Sequence, residues 1–78
     1  MILEIITPEK AAFKGEVTSV KLPGTAGEFE VLNNHAPIIS TLTRGSIRVI
    51  KADNNTETFD VNGGVIEMQN NKIIVLAD

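Results

Sequence analysis

Short apolar runs separated by turn residues are the feature that most constrains the fold of this chain. They recur about every eight to twelve residues, a spacing typical of an all-β sandwich or barrel. The last run, Ile73-Ile74-Val75-Leu76, is apolar on both faces, and we expect it to form the most buried strand. The predicted strands are 1–6, 17–22, 29–32, 38–42, 46–51, 58–61, 65–68 and 72–76.

Residues 7–15 are compatible with two local structures. Thr7 could cap a two-turn helix that has Pro8 at its first position and Gly15 at its end. The same residues could instead form a turn followed by an edge strand. Composition does not separate the two.

Length and charge limit the classes of function. We expect the 78 residues to form one domain, 1–78, of modest stability, because so short a chain buries only about 60% of its surface on folding. The absence of cysteine excludes a disulfide framework or a cysteine-ligated zinc ion. The net charge is −3, and the basic residues are scattered without Tyr or Trp among them, so we expect no nucleic-acid partner. No apolar run approaches the roughly 20 residues of a membrane span.

The residues that could carry chemistry are few. His35 is the only histidine, and Ala36-Pro37 directly after it favours a loop residue bonded to its own turn over a general base. Residues 53–57 lack the glycine and distal glutamate of a calcium loop, and 24–27 lack the lysine of a phosphate loop. We therefore predict no catalytic residue, metal or cofactor, and no enzymatic activity.

Glu28 and Glu30 are the only closely spaced carboxylates outside turns. Their i, i+2 spacing places them on the same side of a strand. They could form a solvated acidic edge or a contact with a basic partner, and we prefer the contact.

The run from Leu22 to Pro37 combines Pro-Gly, Gly-Glu-Phe and His-Ala-Pro in that order. It resembles the signature of the epsilon subunit of rotary F-type ATP synthases. The resemblance extends over essentially the whole chain. It implies a flattened all-β sandwich of two roughly five-stranded antiparallel sheets, with a turn and an edge strand at 7–15. Further matching residues are 7–10, 13, 15–17, 20, 42, 45, 47–49, 63–67 and 75–78.

The same resemblance implies a function. Such a chain is a non-catalytic rotor part of the central stalk, linking the gamma subunit to the c-ring and so coupling proton flow to ATP synthesis. It would lie peripherally at the cytoplasmic face of a bacterial inner membrane. By position, Glu28, Phe29 and Glu30 would face the c-ring, whose polar loops commonly carry arginine in this family. His35 and Ser40 would face gamma, and Phe29 could equally pack inward.

The sequence departs from the family pattern in three places. Glu30 replaces the usual glycine and adds a second charge beside Glu28. Asn33 replaces the usual proline, which removes a fixed φ angle and is expected to loosen the loop. Most members continue beyond Ala77-Asp78 into two inhibitory helices, so we expect no helix-based inhibition of ATP hydrolysis from these residues.

Two other functions are compatible with a small β domain. A biotinyl or lipoyl carrier needs a lysine at a hairpin tip beside methionine, but Gln69 follows Met68 here and the nearest lysine is Lys72. A carbohydrate-binding or adaptor sandwich would use exposed Trp or Tyr, which the chain lacks. With 42% hydrophobic residues and a small core, an exposed apolar patch for a partner is expected in either a rotor part or an adaptor.

Overall fold

The computed structural model describes residues 1–78 as an all-β protein. All eight predicted strands are present. Most bounds shift by at most two residues, but β2 begins at Ala11 and not at Val17. The strands are β1 (Ile2–Ile6), β2 (Ala11–Gly24), β3 (Gly27–Leu32), β4 (Ile38–Leu42), β5 (Gly45–Lys51), β6 (Thr56–Val61), β7 (Gly64–Gln69) and β8 (Lys72–Ala77).

The strands form two layers that share β2. The first half of β2 pairs with β1, and one layer runs β2–β1–β8–β7–β4. The second half pairs with β3 on one side and β5 on the other, giving the layer β3–β2–β5–β6. The register of β2 against β5 shifts between Val17 and Ser19, where β2 passes from one layer to the other. The predicted β-sandwich is confirmed, and β1–β8 is its one parallel pair.

The core lies between the layers and follows the period of two expected of strands. Alternate side chains of each strand point inward, as Ile47 and Val49 do on β5 and Ile66 and Met68 on β7. Sixteen buried apolar residues form one cluster. Ser19 is the one buried polar side chain.

Residues 7–15 form the turn and strand that the family resemblance implies, so the helical alternative is wrong. The amide of Thr7 donates to the carbonyl of Lys10 at 2.8 Å and closes the turn. β2 then begins at Ala11 and pairs back along β1. Phe13 contacts Phe59 of the other layer edge to face, with ring centroids 5.7 Å apart. Pairing with β1 and packing against Phe59 together favour the extended strand.

The expectation that β8 is the most buried strand is confirmed, because half of its residues are buried, a larger share than in any other strand. Its burial is nevertheless confined to one face. β8 lies between β1 and β7, and its inward residues Ile73 and Val75 are fully buried. Its outward face has no covering layer, so the side chain of Leu76 is 54% exposed. A run of apolar residues cannot show whether its second face meets protein or solvent.

Replacing Gly64 by alanine should destabilise the protein more than the same change at Gly27. Both glycines have φ values that strain an L residue, +149° and +130°. A Cβ at Gly64 would also collide with the carbonyl oxygen of Leu76, whereas at Gly27 it would meet nothing within 4 Å. We expect Gly27→Ala to cost about 1–2 kcal/mol and Gly64→Ala about 3 kcal/mol or more. Urea unfolding measures the free energy of unfolding of both variants. Equal losses of stability would show that the close approach of Gly64 to the Leu76 carbonyl adds no cost of its own.

Candidate interaction surfaces

Glu28 and Glu30 share the outward face of β3, as their spacing predicts. Opposite them on β2 lie Pro23 and Lys21, in the order Pro23–Glu28 and Lys21–Glu30. The next strand along places Arg48 beside Lys21. The acidic pair therefore lies in a cross-strand row with two basic residues, which we call the charged face: Lys21, Glu28, Glu30 and Arg48.

Glu30 is held by contacts within the protein. The hydroxyl of Ser19 donates to its Oε2 atom at 2.5 Å, and Nη2 of Arg48 donates to the same oxygen at 2.9 Å. The Ser19 hydrogen bond is the largest cause that lowers the pKa of Glu30 below its ordinary value, and desolvation, the next largest, opposes it. The charge and hydrogen bond of Arg48 and the charge of Lys21 lower the pKa further. This carboxylate already has partners, so it is a weaker candidate than Glu28 for binding another protein.

Glu28 has a looser partner. Its Oε1 atom lies 3.2 Å from Nζ of Lys21, and the two side chains are 58% and 39% exposed. Exposed ion pairs contribute about 0–1 kcal/mol and exchange readily with other charges. Of the two acids, Glu28 is therefore the one free to change partner.

Phe29 lies on the opposite side of β3 from the two acids. It is half-buried and packs against the core. A Cβ placed on Gly24 would lie 2.8 Å from its ring, so the aromatic ring fills the space that this glycine leaves. The three residues predicted to face the c-ring therefore do not share one face.

His35 lies on an exposed loop fixed from two sides. Asn33 accepts a 2.8 Å hydrogen bond from the α-ammonium group of Met1, and the side chain of Asn71 accepts one of 2.8 Å from the amide of Asn34. Nδ1 of His35 donates to the carbonyl of Ala36 at 2.7 Å, which confirms a loop histidine bonded to its own turn. Asn33 thus has a side-chain hydrogen bond where a proline would have a fixed φ, and the expectation that it loosens the loop stays a prediction.

Ser40 is half-buried on β4, whereas His35 lies in the loop that precedes this strand. Ser40 pairs with Ile66, and its hydroxyl donates to the carbonyl of Thr41 at 3.4 Å. Because neighbouring residues of a strand point to opposite sides, the side chain of Ile39 points outward instead. The two residues predicted to face gamma therefore occupy different parts of the β4 region.

Exposed apolar side chains lie on the outside of the β4–β7–β8 layer, on either side of the exposed Glu67. Ile39 is 75% exposed, and Val65 pairs with Leu76 in register. Ile74 lies half-buried beside Glu67. We call this surface the outer apolar face: Ile39, Val65, Ile74 and Leu76. Sequence reasoning expected an apolar patch but assigned β8 to the interior. Apolar residues at outward positions on both β7 and β8 were the available indication.

Two further findings concern metals and membranes. No group of three or more His, Asp or Glu side chains is arranged to hold a metal ion. The structure also contains no helix that is long and apolar enough to cross a bilayer.

The fold and these surfaces define a small β-sandwich with one apolar and one charged outward face. The chain belongs to the family described as "ATP synthase, Delta/Epsilon chain, beta-sandwich domain", whose sequence profile matches residues 1–78.

Similar proteins include epsilon chains of different lengths. The ATP synthase epsilon chain of Chlorobaculum tepidum is 42% identical over 76 residues, which cover 97% of this chain and 86% of that protein. The epsilon chain of Dichelobacter nodosus is 43% identical over 74 residues, covering 95% of this chain but 52% of that protein. The chain thus spans most of one relative and about half of the other.

Solved structures share the fold. A chain of the Euglena gracilis mitochondrial ATP synthase, in a structure of OSCP, F1 and c-ring, superimposes over 99% of this chain and 49% of its own length. Its TM-score is 0.92 at 19% identity. A chain of the Tetrahymena thermophila central stalk and c-ring structure gives 0.80 at 17% identity, over 99% and 62%. These likenesses show the fold.

Removing the Ser19 hydroxyl should raise the pKa of Glu30. The folded state lowers this pKa, so the stabilisation is complete above the ordinary glutamate value of about 4.3 and is lost as pH falls through the lower folded value. In Ser19→Ala, Glu30 should titrate nearer its ordinary value, and the loss of stability in acid should be smaller. Carboxyl NMR titration and urea unfolding across this range test both effects. Glu57→Gln is the control, and an unchanged Glu30 pKa in Ser19→Ala would contradict the assignment.

Proposed function

We propose that this chain is a rotor subunit of the central stalk of a proton-translocating ATP synthase, linking gamma to the c-ring. The observation that carries the proposal is the family match over residues 1–78. The named assemblies of the structural neighbours, F1 with c-ring and central stalk with c-ring, support it. In this role the chain transmits force between partners and is itself non-catalytic.

We place the gamma contact on the β4 side of the molecule. It includes His35 and Ser40, as their positions in the family signature imply, together with the outer apolar face. Ile39 belongs to this face and directly precedes Ser40 on β4, and it presents its side chain to solvent. Apolar area of this kind supplies the affinity of stable protein interfaces.

We place the c-ring contact on the charged face, with Glu28 as the contacting residue. Its carboxylate is exposed and can accept a charge-assisted hydrogen bond from an arginine of the ring. Glu30 and Phe29 would support this contact without touching the ring. Glu30 is bonded to Ser19 and Arg48, and Phe29 packs against the core on the inner side of β3. Through the ring, the protein would lie peripherally at the cytoplasmic face of a bacterial inner membrane.

No structural observation favours the carrier alternative. The β7–β8 turn has Asn70 and Asn71 at its tip, both with positive φ. Lys72 follows as the first residue of β8, paired with Gln69 and Ile2. A lysine within a paired strand is poorly placed to carry a swinging prosthetic group.

Substituting the outer apolar face should weaken binding to gamma without unfolding the protein. Ile39→Ser combined with Leu76→Ser should reduce affinity for the gamma subunit of the same genome by about tenfold or more, because two aliphatic side chains lose their burial. Stability should change by less than about 0.5 kcal/mol per site. Isothermal titration calorimetry with purified gamma measures the affinity.

The matched control is Leu32→Ser, which removes a leucine that is 52% exposed on the charged side of the molecule. It should leave gamma binding unchanged. Failure of the unsubstituted chain to bind folded gamma would contradict the rotor proposal. Full binding by the double variant would contradict only the placement of the gamma contact.

A further inference from the structure

We propose that Lys21 is a resident counter-ion of Glu28 that a cation of the c-ring must displace, so that Lys21 sets the strength and selectivity of this contact. The inference rests on the proposed function, in which Glu28 faces the ring. The inference adds Lys21 as a residue that competes with the ring for Glu28. It also gives Glu30 a role, as the carboxylate that can receive Lys21 after displacement.

The pairing of Lys21 is diagonal. Its direct cross-strand neighbours are Glu30 on one side and Arg48 on the other. Arg48 nevertheless reaches past Lys21 to Glu30, and Ser19 binds the same carboxylate. With Glu30 engaged, the ammonium group of Lys21 turns to Glu28, 3.2 Å away.

Glu30 retains the capacity to receive Lys21. Its bonds from Ser19 and Arg48 both end on Oε2, which leaves Oε1 available. When a partner's cation takes Glu28, Lys21 can move to this second oxygen of its direct neighbour. Lys21 then keeps a counter-ion in the complex, and displacement does not leave an unpaired ammonium group at the interface.

This exchange favours arginine over lysine on the partner. A guanidinium group can form two parallel hydrogen bonds to a carboxylate, whereas Lys21 offers one ammonium contact to a single oxygen. A partner lysine would only replace one such contact by another. The charged face is therefore selective for a planar, bidentate cation.

Binding of the c-ring to the preformed complex of gamma with this chain tests the inference. Purified ring in detergent is titrated at low salt against complexes that carry the unsubstituted chain, Lys21→Gln, Glu28→Gln or both changes. We expect Lys21→Gln to raise the affinity about two- to fivefold, the range that an exposed ion pair supplies. Glu28→Gln should lower the affinity, and in that background Lys21→Gln should give no gain.

Lys51→Gln is the matched control. Lys51 also pairs with a carboxylate, Glu57 at 3.8 Å, and has a similarly exposed side chain. Lys51→Gln changes the net charge by the same amount as Lys21→Gln, but at a site away from Glu28. It should therefore not reproduce the gain in ring affinity expected for Lys21→Gln. Unfolding curves of each variant establish that all remain folded.

The outcomes separate the inference from the function on which it rests. If Glu28→Gln weakens ring binding but Lys21→Gln does not strengthen it, the ring contact stands and the counter-ion role is overturned. A gain from Lys51→Gln as large as that from Lys21→Gln also overturns it, because a general charge effect then explains both. If Glu28→Gln leaves binding unchanged, the proposed ring contact itself fails and the inference fails with it.

Discussion

The two layers depend on the pairing of a single strand, β2. Its 14 residues pair with β1 through their first half and with β3 and β5 through their second half. The register shift between Val17 and Ser19 lets one strand serve both layers. The hairpin with Glu28 and the backbone position of Lys21 are both set by this strand, so the charged face inherits its geometry from the core.

The strands were predictable because alternation of apolar and polar residues follows directly from strand geometry. The partners of Glu30 were not predictable from the sequence. Two different strand pairings bring Ser19 and Arg48 to it, and the alternation of apolar and polar residues does not determine the register of either pairing. Leu76 shows a different limit. An apolar residue at an outward position is equally compatible with a third layer, a partner or solvent, and only the assembled fold distinguishes them. The hydrogen bond of Asn33 to Met1 was likewise inaccessible, since it joins residues far apart in sequence.

The two outward faces differ in what they can contribute to assembly. The outer apolar face offers area that gains free energy when water leaves it, in proportion to the area covered. The charged face has two acids and two bases in contact, so its formal charges cancel and it attracts a basic partner only weakly at long range. On the proposed function, the apolar face would supply affinity for one partner. The charged face would supply orientation and selectivity toward the other.

Glu30 and Asn33, the two positions within residues 22–37 where the resemblance implies a departure from the family signature, have a common physical effect. Each replaces a residue that acts through the backbone, glycine or proline, by one that acts through a side-chain hydrogen bond. Asn33 joins the His35 loop to Met1, and Glu30 joins β3 to Ser19 and Arg48 on two other strands. Both bonds cross between segments that the backbone alone would leave free to shift. For a body proposed to transmit torque between two partners, such cross-links hold the partner-facing loop and hairpin to the same rigid sandwich.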